Sequence, residues 1–148
     1  MTEKCRIEKE ARLENLPDLL RFISENCRRA GASAGEEFAV KLAVEEACVN
    51  VITHGYAGRE PGPLSLEFSS EPGRFVVTVS DNAEPFHPED LAEPDLTSAW
   101  DERAIGGLGW WLIRKMVDGV EYESKPGRGN RLTLAKRRET NKGGSDGD

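Results

Sequence analysis

The sequence has few of the residues from which metal centres and disulfide frameworks are built. Its 148 residues include only two histidines, His54 and His87, so a Cys/His metal site is not expected. The three cysteines, Cys5, Cys27 and Cys48, are odd in number, widely spaced and set within apolar patterns. We therefore expect reduced thiols in a reducing compartment, rather than a disulfide framework or a zinc site.

Long apolar runs and large basic clusters are also missing. No apolar stretch approaches the ~20 residues that a membrane-spanning helix needs, and the charged N-terminus lacks the apolar region of a signal peptide. The chain carries 20 basic and 27 acidic residues, a formal net charge of −7, and its one basic cluster is residues 136–138. Because duplex binding requires clustered Lys and Arg, direct nucleic-acid binding is not expected. These absences predict a cytoplasmic protein that contacts no membrane.

The length of the chain suits one domain with a real core and is too short for two domains of ordinary size. We expect this domain to occupy residues 1–138. Residues 139–148, which are glycine-rich and polar, are predicted to form a disordered tail.

The stretch from Phe38 to Tyr56 has the periodicity of a largely buried helix. At about 100° per residue it is apolar on two arcs, one with Phe38, Leu42, Val49, Ile52 and Tyr56 and the other with Val40, Val44, Ala47 and Val51. Residues 33–36, Ser-Ala-Gly-Glu, fit a capping box that opens this helix. Gly55 is predicted to end it as a left-handed cap.

A narrow polar stripe on this helix contains Glu46 and Asn50. They are one turn apart on the same face, with roughly 5 to 6 Å between Cβ atoms, so both can address one site. A carboxylate there can accept a proton, and an amide oxygen is an uncharged ligand suited to Mg²⁺. The alternative is that Glu46 is simply exposed and Asn50 binds a neighbouring backbone group, and this helix alone does not decide between them.

The remaining periodic segments predict an α/β domain. Residues 5–13 alternate as a strand, a helix starts near Asn15 and Pro17 and closes at Gly31, and residues 64–68 and 75–79 form a β-hairpin. Two further strands are expected at residues 120–124 and 130–136. The second hairpin strand delivers Asp81 on the face of its apolar side chains, where a buried carboxylate needs a partner.

Residues 85–104 are proline-rich and acidic, and a loop of this length is usually a functional lid or disordered. The sequence Gly106-Gly107-Leu108-Gly109 then predicts the start of a helix that runs from Trp110 to about Val117. Glycines at a helix N-terminus let backbone amides approach an anion such as phosphate. Glycine is equally common where a lid merely hinges.

The order of these parts resembles the N, G1 and G2 boxes of the GHKL superfamily of ATPases. Within that superfamily it is most similar to the anti-sigma factor serine kinases. The resemblance covers roughly residues 5 to 138 and rests on three stretches: Glu-Glu-Ala-Cys-Val-Asn-Val-Ile-Thr-His-Gly-Tyr, Pro-Phe-His-Pro and Gly-Gly-Leu-Gly-Trp-Trp-Leu-Ile-Arg. It implies a Bergerat-type α/β two-layer sandwich, in which three helices cover one face of a mixed, mainly antiparallel sheet.

The resemblance also implies a site for ATP and Mg²⁺. Asn50 matches the Mg²⁺ ligand, Glu46 the general base and Asp81 the residue that reads adenine. The other matched positions are the glycine position of the G1 box, occupied by Ala83, the phosphate-facing hinge Gly107, Leu108 and Gly109, and two weaker candidates, Arg103 for phosphate and Thr133 for the adenine side. Ala83 and His87 depart from the usual Asp-x-Gly and Pro-Phe-Asp-Pro patterns, which bears on affinity more than on activity.

For function, the resemblance implies a homodimeric serine/threonine kinase that phosphorylates an anti-anti-sigma protein of STAS-like type and sequesters a sigma factor. Two alternatives stay open. One is a nucleotide-gated binding module with little kinase activity, for which Trp111 beside Arg114 and Lys115 suggests a contact surface. The other is a detached catalytic domain of a histidine kinase, which needs a phosphoacceptor histidine that the first 37 residues do not contain.

Overall fold

The computed structural model describes residues 3–85 and 102–139, with side chains described for 4–85 and 109–139. Five strands, β1 Glu3–Glu10, β2 Pro63–Glu71, β3 Arg74–Asp81, β4 Gly119–Lys125 and β5 Gly129–Arg137, form one sheet in the order β1-β2-β3-β5-β4. Every pair of neighbouring strands is antiparallel. The helices are α1 Leu16–Arg29, α2 Ala34–Asn50 and α3 Glu102–Met116, and a π-helical turn, Val51–Gly55, continues α2. The predicted α/β sandwich is therefore confirmed.

The core lies between the helices and one face of the sheet. Alternate residues of the central strands point into it, and the register places Val79 opposite Leu66 and Leu132. Buried residues of all three helices, including Ile23, Val44 and Ile113, complete this cluster. Side chains of opposite parity, among them Thr78 and Thr133, lie on the other face of the sheet. No helix in the described residues is long and apolar enough to cross a membrane.

Helix α2 begins as its capping box requires. The Ser33 hydroxyl accepts a hydrogen bond from the Glu36 amide at 3.0 Å, and the Glu36 carboxylate accepts one from the Ser33 amide at 2.8 Å. Glu36 is only 3% exposed, and its second oxygen accepts a bond from the Glu139 amide. One buried carboxylate thus joins the start of α2 to the end of the sheet.

One of the two apolar arcs of α2 is fully buried, and the prediction that the other is buried as well is wrong at Phe38. Val40, Val44, Ala47 and Val51 pack in the core, whereas Phe38 is 63% exposed. Gly55 is not a left-handed cap either. It lies inside the π-helical turn, and the left-handed conformation falls on Gly58, with φ of 77°.

Two other boundaries differ from the sequence prediction. Strand β1 stops at Glu10, opposite Pro63. One further bond, from the Ala11 amide to the Gly62 carbonyl, follows, and Leu13 lies in a 3₁₀ turn. Helix α3 starts at Glu102, eight residues before the predicted Trp110. The central part of the predicted lid, residues 86–101 with His87, and tail residues 140–148 lie outside the described residues.

Replacing Ser33 with alanine is expected to lower the free energy of unfolding by about 1 kcal/mol, because an orphan amide at the start of α2 loses its acceptor. Chemical denaturation measures this loss. The exposed Ser124 of β4, replaced in the same way, serves as the control and should change stability by no more than about 0.5 kcal/mol. Equal losses in the two variants would contradict the assignment of the cap.

Candidate functional site

Helix α2 presents Glu46 and Asn50 to helix α3. Asn50 is 7% exposed, and its buried Nδ2 has no hydrogen-bond partner within the described residues. Glu46 is half-buried, and burial, followed by the neighbouring charge of Glu45, raises its pKa. A buried polar atom without a partner is uncommon in proteins. An amide left in this state beside a desolvated carboxylate is consistent with a site that receives a polar ligand.

Gly109 of α3 lies directly against these two side chains. A Cβ atom built on Gly109 would be 3.0 Å from Glu46 Oε1 and 3.8 Å from both polar atoms of the Asn50 amide. The structure therefore brings Gly109 together with Glu46 and Asn50, and a side chain at this position would press against the carboxylate.

The glycine segment itself does not open a helix. Gly106, Gly107 and Gly109 lie inside α3, which starts at Glu102. Because their amides follow the first turn of α3, they are not among the unpaired N–H groups at the N-terminus of the helix. The predicted helix start at the glycine segment is therefore wrong, and the phosphate-facing role of Gly107, Leu108 and Gly109 stays a prediction. The side chains of Arg103 and Leu108 lie outside the described residues.

Asp81, at the end of β3, is held by two donors. Its Oδ1 accepts hydrogen bonds from Asn130 Nδ2 at 2.7 Å and from the Ala83 amide at 2.8 Å. Burial raises the pKa of Asp81, and the two hydrogen bonds offset part of that rise. No hydrogen bond to Oδ2 occurs within the described residues, so this oxygen can accept one from a ligand.

Asn130 is a residue of this cluster that the sequence interpretation missed. It pairs with Asp81 across β3 and β5, is 5% exposed, and also donates to the Ala83 carbonyl at 2.8 Å. Thr133, the predicted candidate on β5, lies on the opposite face of the sheet from Asp81 and does not join this cluster. The alternation of β5 could have indicated this position, because Asn130 lies on the same face of the strand as the buried Leu132 and Leu134.

The segment after β3 is tied to the end of α2. The Glu84 amide donates to the Gly55 carbonyl at 3.1 Å, and the Asn82 amide donates to the Tyr56 hydroxyl at 2.9 Å. That hydroxyl in turn donates to the Pro63 carbonyl at 2.9 Å. These bonds fix Asp81 relative to the helix that carries Glu46 and Asn50.

The charge of Asp81 also acts on a buried thiol of α2. The thiol of Cys48, two residues before Asn50, has a pKa raised to about 12, first by burial and then by the charges of Glu45 and Asp81. Cys48 is therefore an inert thiol at neutral pH.

The residues around Asn50 suit a magnesium ion that takes most of its ligands from water and from substrate phosphates. No group of three or more His, Cys, Asp or Glu residues that could hold a metal ion occurs in the described part of the chain. Mg²⁺ is commonly bound through one or two protein groups, with water and substrate phosphates as its other ligands. The Asn50 carboxamide, beside Glu46, is the group that fits this role.

Residues 9–136 match the family described as histidine kinase-like ATPase domain. The serine-protein kinase RsbW of Bacillus subtilis is 30% identical over 103 residues, which cover 67% of this chain and 64% of that protein. The anti-sigma F factor of Clostridium kluyveri is 32% identical over 97 residues, which cover 66% and 68%. The RsbW of Bacillus pumilus is 33% identical over 94 residues, which cover 60% of this chain and 58% of that protein, so the chain spans less than two thirds of these RsbW proteins.

A solved structure has the same fold. The RsbU and RsbW domains of a Mycobacterium tuberculosis protein match with a TM-score of 0.66 at 16% identity, over 92% of this chain and 32% of that one. At this identity the likeness supports the fold alone.

Replacing Asn130 with alanine is expected to raise the pKa of Asp81 further, because the change removes one of the two hydrogen bonds that favour the charged form. With its pKa already raised in the folded state, Asp81 contributes stability at acidic pH that is lost as the pH rises through the folded pKa. In the Asn130→Ala variant this loss of stability should extend to higher pH, because the folded pKa is higher. Carboxyl NMR titration measures the pKa, with Thr133→Ala as the control; an unchanged pKa in Asn130→Ala would contradict the contact.

Proposed function

Because the chain belongs to the family of histidine kinase-like ATPase domains, we propose that it is an ATP-dependent protein serine/threonine kinase that acts as an anti-sigma factor. The names of its relatives, serine-protein kinase and anti-sigma F factor, support this proposal. Its substrate would be an anti-anti-sigma protein of STAS-like type and its second partner a sigma factor. We further propose that it is a homodimer that works in the cytoplasm.

The observation that carries the proposal is the state of the Asp81 carboxylate. Two donors occupy Oδ1 and fix the orientation of the group, while Oδ2 has no hydrogen bond within the described residues. A fixed, partly buried acceptor suits the exocyclic amine of adenine, which donates. It disfavours guanine, which carries a carbonyl oxygen at the same position.

Glu46 is the proposed general base. It would accept the proton of the attacking serine or threonine hydroxyl, and its raised pKa makes it a stronger base than an exposed glutamate. Asn50 would hold Mg²⁺, which supplies neutralisation of phosphate charge when it is bound. Gly109 leaves space beside both side chains.

A binding module with little kinase activity is the second candidate, and Trp111 favours it. This half-buried ring on α3 lies under Lys115, whose Nζ is 5.5 Å from the ring centroid, and Arg114 next to it is exposed. Trp and Arg are enriched at protein interfaces. Incubation with labelled ATP and an antagonist protein separates the two candidates, because only the kinase leaves phosphate on the partner.

Replacing Glu46 with glutamine should lower phosphoryl transfer by about 10²- to 10⁴-fold, because the general base is lost while its shape is kept. Transfer is measured with labelled ATP and the antagonist protein, and ATP binding by calorimetry should change little. Glu45→Gln, one residue away, is the matched control. Unchanged turnover in the Glu46 variant would rule out this role.

Replacing Asp81 with asparagine should weaken ATP binding by about 10- to 150-fold, because a hydrogen bond to a charged acceptor is worth ~1.5 to 3 kcal/mol. Calorimetric titration with ATP and GTP measures the effect. A wild-type protein that binds both triphosphates equally would show that Asp81 does not read the base.

A further inference from the structure

The π-helical turn at the end of α2 and the segment after β3 meet at a single point. A Cβ atom built on Gly55 would be 2.8 Å from the Ala83 Cβ, closer than real side-chain atoms approach each other. The next neighbours of that Cβ, Val51 Cγ1 at 3.9 Å and the Asn50 carbonyl at 4.0 Å, are at ordinary distances. The space between positions 55 and 83 therefore accommodates one methyl group, which is that of Ala83.

The backbone conformation does not require a glycine at position 55. Its backbone is not in the left-handed region, since the glycines with positive φ in the described residues are Gly31, Gly58, Gly73, Gly127 and Gly129. An alanine could adopt the same conformation if the methyl of Ala83 were absent. Ala83 is 7% exposed and its methyl belongs to the core cluster, so this methyl fills the space from the sheet side.

This contact bears on Asp81 through a short chain of bonds. The Ala83 amide donates to Asp81 Oδ1, the Ala83 carbonyl accepts from Asn130, and the Glu84 amide donates to the Gly55 carbonyl. Moving the two Cβ atoms from 2.8 Å to ordinary contact at 3.4 Å would displace Ala83 and disturb all three bonds. A side chain at position 55 would thus act on the orientation of the carboxylate through these bonds.

We propose that Gly55 is a positioning residue for base recognition and that Gly55 and Ala83 are a reciprocal pair, in which either position, but not both, can carry the methyl group. The part that concerns base recognition rests on the proposed ATP-binding function. The part that concerns packing does not.

The test compares the wild type with Gly55→Ala, Ala83→Gly and the double variant that exchanges the two residues. Gly55→Ala should lower Tm by about 5 °C or more, as expected for overpacking, and should reduce the preference for ATP over GTP about tenfold. The exchange should restore Tm to within about 2 °C and restore the ATP preference. Gly35→Ala, in α2, where the nearest atom to the added methyl is 3.7 Å away, is the control and should lower neither the Tm nor the ATP preference.

Two results would overturn the proposal: a Gly55→Ala variant that matches the wild type in Tm and in selectivity, or an exchanged variant as impaired as Gly55→Ala. If Gly55→Ala does not fold, the exchanged variant still decides, because it must fold and bind like the wild type. General destabilisation would not move the ATP-to-GTP affinity ratio of the folded protein, so this ratio separates positioning from mere packing. A wild type without ATP preference would contradict the proposed function, while the Tm values would still test the pair.

Discussion

The attachment of the segment after β3 to the end of helix α2 is the interaction on which the site depends. Glu84 binds the Gly55 carbonyl, Asn82 binds the Tyr56 hydroxyl, and Asn130 fastens Asp81 and Ala83 to β5. Without these bonds the Asp81 carboxylate and the helix with Glu46 and Asn50 would be independent of each other. The fold therefore fixes the spacing of the two halves of a nucleotide site before a nucleotide binds.

Holding polar groups in this position works against stability. Burial raises the pKa values of Asp81 and Glu46, and the Nδ2 of Asn50 has no partner within the described residues. Each of these features costs free energy in a protein without ligand. A bound nucleotide with its metal would supply the missing partners. The apolar cluster around Val44, Val79 and Ile113 offsets the cost elsewhere in the domain.

Much of the fold could be predicted because local patterns decide it. The alternation of residues 64–68 and 75–79 identifies the hairpin, and Ser33 with Glu36 marks the start of α2. The site was predicted less completely, because its details depend on contacts distant in sequence. The Asn130 bond to Asp81 spans 49 positions, and the contact of Gly55 with Ala83 spans 28. Periodicity also does not reveal the π-helical turn, which shifts the helix end, or the exposure of Phe38.

A crystal structure of the protein with a non-hydrolysable ATP analogue and Mg²⁺ is the direct test of whether Asp81 binds the base and Asn50 the metal. We expect the exocyclic amine of adenine to lie within hydrogen-bond distance of Asp81 Oδ2, Asn130 still to hold Oδ1, and the metal to be bound by the Asn50 amide oxygen. A nucleotide bound away from α2, or a base that contacts neither Asp81 oxygen, would contradict it.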